Sequence, residues 1–159
     1  MGLTSRQLTV LVLLRIAIGW HFLYEGLSKW LTPGWSSMGY LLDSKGMLEN
    51  FFTWMASVPS LVRVVDLLNV YGLMAVGIGL ITGFLCRPAL LGGMMMLVLY
   101  YLSHPPLIET AYAIPSEGSY FLVNKNLIEL LAMVVLYLFP TEREIGIDKF
   151  IFRKKDLTE

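Results

Sequence analysis

The chain is poor in charge and nearly without cysteine. Asp, Glu, Lys and Arg make up 15% of its 159 residues, against about 25% in ordinary soluble domains. Apolar residues make up 56%, and with this shortfall of charge the composition points to a membrane protein. The charges cancel, twelve basic against twelve acidic, which removes the electrostatic case for nucleic acid as a partner. The single cysteine, Cys86, excludes an internal disulfide, a CxxC redox pair and an all-cysteine metal site. His21 and His104 are the only histidines, so no metal constellation is convincing. No P-loop or dinucleotide fingerprint occurs, and no nucleotide site is indicated. The N-terminus does not read as a removable signal peptide, because Arg15 interrupts the first apolar run and no small-x-small cleavage site follows.

What the chain does have is long apolar runs. Roughly 20 residues cross a bilayer core as a helix. On that scale the sequence predicts spans over residues 8–28, 66–85, 89–102 and 120–139. Ser60 is the expected N-cap of the second helix. Cys86-Arg87-Pro88 is the expected break after it, and Pro140 the stop of the fourth. The fold class is therefore all-α, an integral membrane four-helix bundle forming one domain over 1–159. A polar tail covers 141–159, with a basic cluster at Arg153, Lys154 and Lys155. Gly72, Gly77, Gly79 and Gly83 form a small-residue stripe that lets helix backbones approach closely.

Residues 35–59 are neither a span nor a polar loop. Aromatic and apolar residues interleave there with Asp43, Lys45, Glu49 and Asn50. Two short amphipathic helices are predicted, Ser37–Leu42 and Met47–Ala56, with a turn at Asp43–Gly46. They serve as an interfacial anchor, as a cap over a site, or as both. With four spans both termini share a side. That side would hold seven basic residues (Arg6, Arg87, Arg143, Lys149, Arg153, Lys154, Lys155) and the other four (Lys29, Lys45, Arg63, Lys125). The positive-inside rule then places both termini in the cytoplasm and segment 35–59 outside. The loop that follows His104, with Glu109, Pro115, Glu117 and Gly118, is expected to be partly extended.

The first span carries too many ionisable groups for hydrocarbon: Arg15, His21, Glu25 and Lys29. Each costs about 2.5–3.5 kcal/mol near the bilayer centre unless paired or facing a polar cavity. His21, Glu25 and Lys29 repeat every four residues and form one ridge. The fourth helix brings Lys125, Asn126 and Glu129, with Lys125 and Glu129 spaced to pair along it. The second brings Asp66 and Asn69, and the third Tyr100, Tyr101 and His104. Tyr100 and Tyr101 read as an aromatic belt. Glu25, Glu129 and His21 are the candidate catalytic residues, as acceptors or carriers of protons. Arg15, Lys29, Asn69 and Asn126 are the candidate substrate-binding residues. Arg15, Lys29, Lys125 and His21 together would hold a small anion. Arg15 is the deepest of these charges, and either a bound anion or Glu25 is its expected partner. Aromatic and Met-rich walls suit a flat apolar ligand such as a quinone.

Three stretches resemble the DoxX/DoxD family of small four-helix prokaryotic membrane proteins: RIAIGWHFLYEGLSKW (Arg15–Trp30), YGLMAVGIGLITGFLCRPALLGG (Tyr71–Gly93) and NKNLIELLAMVVL (Asn124–Leu136). The longer outer segment is more similar to the DoxD branch. The resemblance implies location in the prokaryotic cytoplasmic membrane. It also implies a subunit of a thiosulfate:quinone oxidoreductase, working with a companion membrane or periplasmic subunit. The alternative is a non-catalytic membrane subunit or binding module that docks a partner protein. The lipid bilayer is a partner in either case, and a homo-oligomer is compatible with both.

Overall fold

The computed structural model describes residues 3–106, 112–113 and 121–152. Helix α1 (Ser5–Leu31) opens with a reciprocal cap. The Gln7 amide donates to Thr4 Oγ1 at 3.3 Å, and the Thr4 amide donates to Gln7 Oε1 at 2.9 Å. This satisfies two donors that a helix start otherwise leaves open. Helices α2 (Met38–Leu42) and α3 (Glu49–Ser57) follow, close to the predicted amphipathic pair. Together they form a cap at one end of the molecule. Its small core is Leu41, Phe52 and Ala56 packed with Val62 of the next helix.

Helix α4 (Pro59–Leu67), a π-turn at Leu68–Gly72 and α5 (Leu73–Thr82) make one continuous rod. Pro59 takes the first helical position, where no amide hydrogen bond is lost. The cap residue is therefore Val58, two positions ahead of the expected Ser60. The rod ends in the left-handed Gly83, and α6 (Cys86–Ser103) begins three residues later. The break thus falls at Gly83-Phe84-Leu85, ahead of the predicted Cys86-Arg87-Pro88. Pro88 lies in the first turn of α6, where proline is tolerated. Helix α7 (Lys125–Leu138) is capped by the Asn124 side chain, which accepts from the Leu127 amide at 3.0 Å. It ends just before Pro140, as expected. A 3₁₀ turn (Thr141–Arg143) and α8 (Asp148–Phe152) close the described chain.

Among the described residues, three helical stretches are long and apolar enough to cross a membrane: Ser5–Leu31, Pro59–Thr82 and Cys86–Ser103. Helix α7 has 14 residues, about 21 Å. That is shorter than the ~30 Å hydrocarbon core. The four-span bundle predicted from sequence is therefore present as three candidate spans and one shorter helix. Glu109, Pro115, Glu117, Gly118 and the basic cluster at 153–155 lie outside the described residues.

The long helices pack in a ring, α1 on α5, α5 on α6, α6 on α7, and α7 back against α1. Phe22, Leu80, Leu90, Leu97, Met133 and Leu136 fill the centre. Between helices in lipid no hydrophobic driving force acts, so close van der Waals contact must hold them. The α1–α5 seam achieves it with glycine. A Cβ on Gly77 would stand 2.5 Å from the Leu23 amide nitrogen, and one on Gly26 2.8 Å from the Val70 carbonyl oxygen. Gly26 thus lets the wider π-turn carbonyl lie against α1.

Candidate functional site

The α1–α7 seam leaves a groove of about 400 Å³ lined by Leu14, Ala17, Ile18, His21, Lys125, Ile128, Glu129 and Ala132. Its wall is apolar except for His21, Lys125 and Glu129. His21 Nδ1 lies 2.8 Å from Glu129 Oε1. Glu129 is largely buried, with 12% of its side chain exposed, whereas His21 is 43% exposed. The carboxylate is therefore held inside while the imidazole faces the groove. Glu129 joins His21 rather than pairing along α7 with Lys125 as the spacing suggested. Glu25 and Lys125 lie close enough to act electrostatically on His21. Asn126 is half-buried on α7 and does not line the groove.

One turn beyond His21, Glu25 and Lys29 form an ion pair, Oε2 to Nζ at 2.5 Å. This is the favourable order for an i,i+4 pair, with the acid N-terminal. Asn69 sits in the π-turn. Its Nδ2 donates to the Val65 carbonyl at 2.9 Å, and its Oδ1 accepts from the Tyr100 hydroxyl at 2.6 Å. Tyr100 is thus a polar stitch between the π-turn and α6, within electrostatic reach of Glu25. The belt reading missed it. The available signal was its spacing from Ser103 and His104 on one face of α6.

Arg15 stands apart. Ten residues, about 15 Å of helix, separate it from Glu25. Its side chain is 2% exposed and reaches the corner between α5 and α6. There Nη1 donates to Thr141 Oγ1 at 3.1 Å and Nη2 to the Ile145 carbonyl at 2.8 Å. Neither partner is the anion or the Glu25 carboxylate expected for it. The same C-terminal segment closes the corner. The Ile147 and Asp148 amides donate to the Thr82 and Gly83 carbonyls at 3.1 and 2.9 Å. The Asp148 carboxylate accepts from the Leu85 and Cys86 amides at 2.9 and 3.0 Å. A carboxylate there satisfies open donors and matches the positive end of α6. It also holds Leu85 at φ 47°, a conformation unfavourable for a residue with a Cβ. Cys86 is buried beneath this clasp.

A third polar cluster lies under the cap. The His104 ring stacks on Tyr40 at 3.9 Å and lies 4.7 Å from Tyr112. Its Nδ1 meets Ser103 Oγ at 3.0 Å, Ser103 bonds Ser44, and Nε2 lies 3.8 Å from Asp43 Oδ2. Burial holds the imidazole below its ordinary pKa, with Asp43 opposing. Burial likewise raises the Tyr40 phenol. Ser44 and Ser103 are buried, so the cluster fastens the cap rather than presenting a nucleophile.

Of the seven predicted site residues, the structure thus joins His21 with Glu129 and Glu25 with Lys29, side by side. Asn69, in the π-turn, is bonded to Tyr100, Asn126 is not in the groove lining, and Arg15 is bonded to the C-terminal segment. Among the described residues no group of three or more His, Cys, Asp or Glu side chains is placed to hold a metal ion. No curated protein and no solved structure matches the chain. The DoxX family model matches residues 10–105, which takes in α1 to α6 with Arg15, His21, Glu25, Lys29 and Asn69 and stops short of Asn126 and Glu129. That match covers more than half of the sequence, and the chain belongs to the DoxX family.

Proposed function

We propose that this multi-pass membrane protein is a quinone-linked oxidoreductase subunit, with the α1–α7 groove as the quinone site and His21 and Glu129 as its proton-handling pair. One observation carries the reading. A bonded imidazole–carboxylate pair stands, beside Lys125, in a groove whose remaining lining is apolar, and ionisable groups facing a cavity at such a place are the kind that mark proton relays and ligand sites. The groove volume lies within the ~300–1,000 Å³ of small-molecule sites, which are mostly apolar with a few placed polar groups. A quinone supplies a two-electron acceptor whose oxygens take up protons. His21 and Glu129 hold a proton between Nδ1 and Oε1 and orient a carbonyl oxygen at the polar end. The ridge through Glu25 leads protons to the groove, one helical turn at a time.

The electron donor in this reading is a small sulfur oxyanion such as thiosulfate, which rests on the family resemblance. Arg15 and Lys29 do not line the groove, whereas Lys125 does and brings positive charge to it. In the same reading α7, together with the residues before it, completes a fourth span. The cap then faces outward from a prokaryotic cytoplasmic membrane and both termini face inward. Purified protein should reduce a soluble quinone with thiosulfate, alone or with co-purified subunits. Glu129→Gln should slow this by about 10²-fold or more without loss of folding. Absence of turnover in every combination would count against the reading.

A non-catalytic docking role is the alternative. Exposed Met47, Phe51 and Trp54 on the cap favour it. It predicts that Phe51→Ser and Trp54→Ser lose a co-purifying partner while groove variants keep it.

A further inference from the structure

A second cavity, about 210 Å³, opens at the cap end, where the last turn of α1 meets the α4–π-turn stretch. Trp30, Trp35 and Tyr71 provide its aromatic walls, and Lys29 and Asp66 are its charged residues. The two charges differ in their state of satisfaction. Lys29 directs two N–H bonds to Glu25, one to Oε2 at 2.5 Å and one to the carbonyl oxygen at 3.2 Å. An ammonium has three N–H donors, so one remains. Asp66 accepts three hydrogen bonds, from the Ser36 hydroxyl at 3.1 Å, the Ser37 amide at 2.7 Å and the Ser37 hydroxyl at 2.6 Å. Among the described residues no cation pairs with it. Its charge is met by dipoles alone. Lys29 Nζ lies 5.8 Å from the centre of the Trp35 ring, which leaves Trp30 and Tyr71 as the open aromatic faces. Both are more than half exposed.

We propose that this cavity binds the headgroup of a zwitterionic phospholipid, its phosphate on the third N–H of Lys29 and its ammonium between Asp66, Trp30 and Tyr71. Aromatic faces attract a cation through the ring quadrupole, and an unpaired carboxylate beside them adds a full opposite charge. A phosphate without an ammonium would meet the Asp66 carboxylate as a like charge. Anionic lipids with an uncharged headgroup are therefore disfavoured. The cavity lies at the end of α1, a candidate span, where Trp and Tyr commonly meet headgroups. Beside it the exposed Leu67 and Leu68 give the acyl chains an apolar track. The proposal does not depend on the quinone reading, since the two cavities share no residue.

Native mass spectrometry of the full chain in detergent tests it, with phosphatidylethanolamine and phosphatidylglycerol of matched chains added in equal amount. The ethanolamine lipid should be retained about two- to fivefold better, the ratio one exposed cation–π contact supplies. Trp30→Ala and Tyr71→Ala should remove the preference, and Trp30→Phe, which keeps the aromatic face, should preserve it. Equal retention, preference for the glycerol lipid, or a preference that survives both alanine variants overturns the proposal. Soluble phosphoethanolamine separates the sources of this chemistry. Weak competition supports a lipid ligand, and displacement at concentrations equal to the lipid's overturns it in favour of a soluble one.

Discussion

His21 Nδ1 and Glu129 Oε1 meet at 2.8 Å across the α1–α7 seam, although 108 positions separate them in the chain. If this pair handles protons for a quinone, removing its basic member should slow turnover by about 10²-fold or more. Glu129→Gln keeps the shape and a hydrogen bond to His21, so folding should survive. Steady-state quinone reduction by His21→Gln, Glu129→Gln and the double variant checks this. The double should be no slower than either single. Unchanged turnover with lowered thermal stability would make the pair structural.

Arg15 clamps the C-terminal segment through Thr141 and Ile145. Lys keeps the charge but not the planar fork, so Arg15→Lys should lose one of the two bonds. A hydrogen bond from a charged group contributes about 1.5–3 kcal/mol. The expected result is a lower melting temperature and faster tryptic cleavage at the exposed Arg143, with quinone binding unchanged in the groove, which Arg15 does not line. Limited proteolysis followed by peptide mapping reads it directly.

Gly77→Ala should loosen the α1–α5 seam. The added Cβ would meet backbone atoms of Gly19 and Leu23 at 2.6 and 2.5 Å, and backbone in two long helices cannot yield as a side chain can. Overpacking of this kind destabilises by about 1–3 kcal/mol. Gly92→Ala is the control, because there the nearest atom is Val76 Cγ2 at 3.8 Å. A thermal melt should separate the two substitutions clearly.

The cap should come loose in mild acid. His104 has its pKa lowered by burial from the ordinary 6.5, with Asp43 pulling the other way. When the cap detaches, the imidazole regains the ordinary value. Below about pH 6.5 the detached form therefore binds a proton that the docked form resists, and docking weakens as pH falls toward the lowered folded value. Above that range docking should be flat with pH. Trp fluorescence of the cap during thermal melts, taken from about pH 8 down to about pH 5, measures it. His104→Gln should flatten the acid limb.

Much of the architecture was legible in the chain because membrane helices announce themselves by length and apolarity. The stop of α7, the two cap helices and the ridge of His21, Glu25 and Lys29 all follow from spacing and local chemistry. The corner was misplaced by three residues. Gly83 ends α5 as a glycine cap, but Leu85 takes a left-handed conformation that the incoming Asp148 supports, and such support arrives from more than sixty positions away in the chain. The length of α7 likewise differs from the apolar run that suggested it.

The sequence by itself determined that this protein lies in a membrane, which residues are charged where charge is costly, and how those on one helix are spaced. Which charges meet was decided by the tertiary structure alone. Glu129 had a cation four residues away on its own helix and instead bonds a histidine on another. Arg15 had a carboxylate candidate on its own helix and instead holds a hydroxyl and a carbonyl from the end of the chain. Helical periodicity fixes direction and depth within one helix, but the rotation of one helix against the next is set by close contact. At the α1–α5 seam that contact is made by Gly19, Gly26 and Gly77, whose missing side chains let backbone meet backbone.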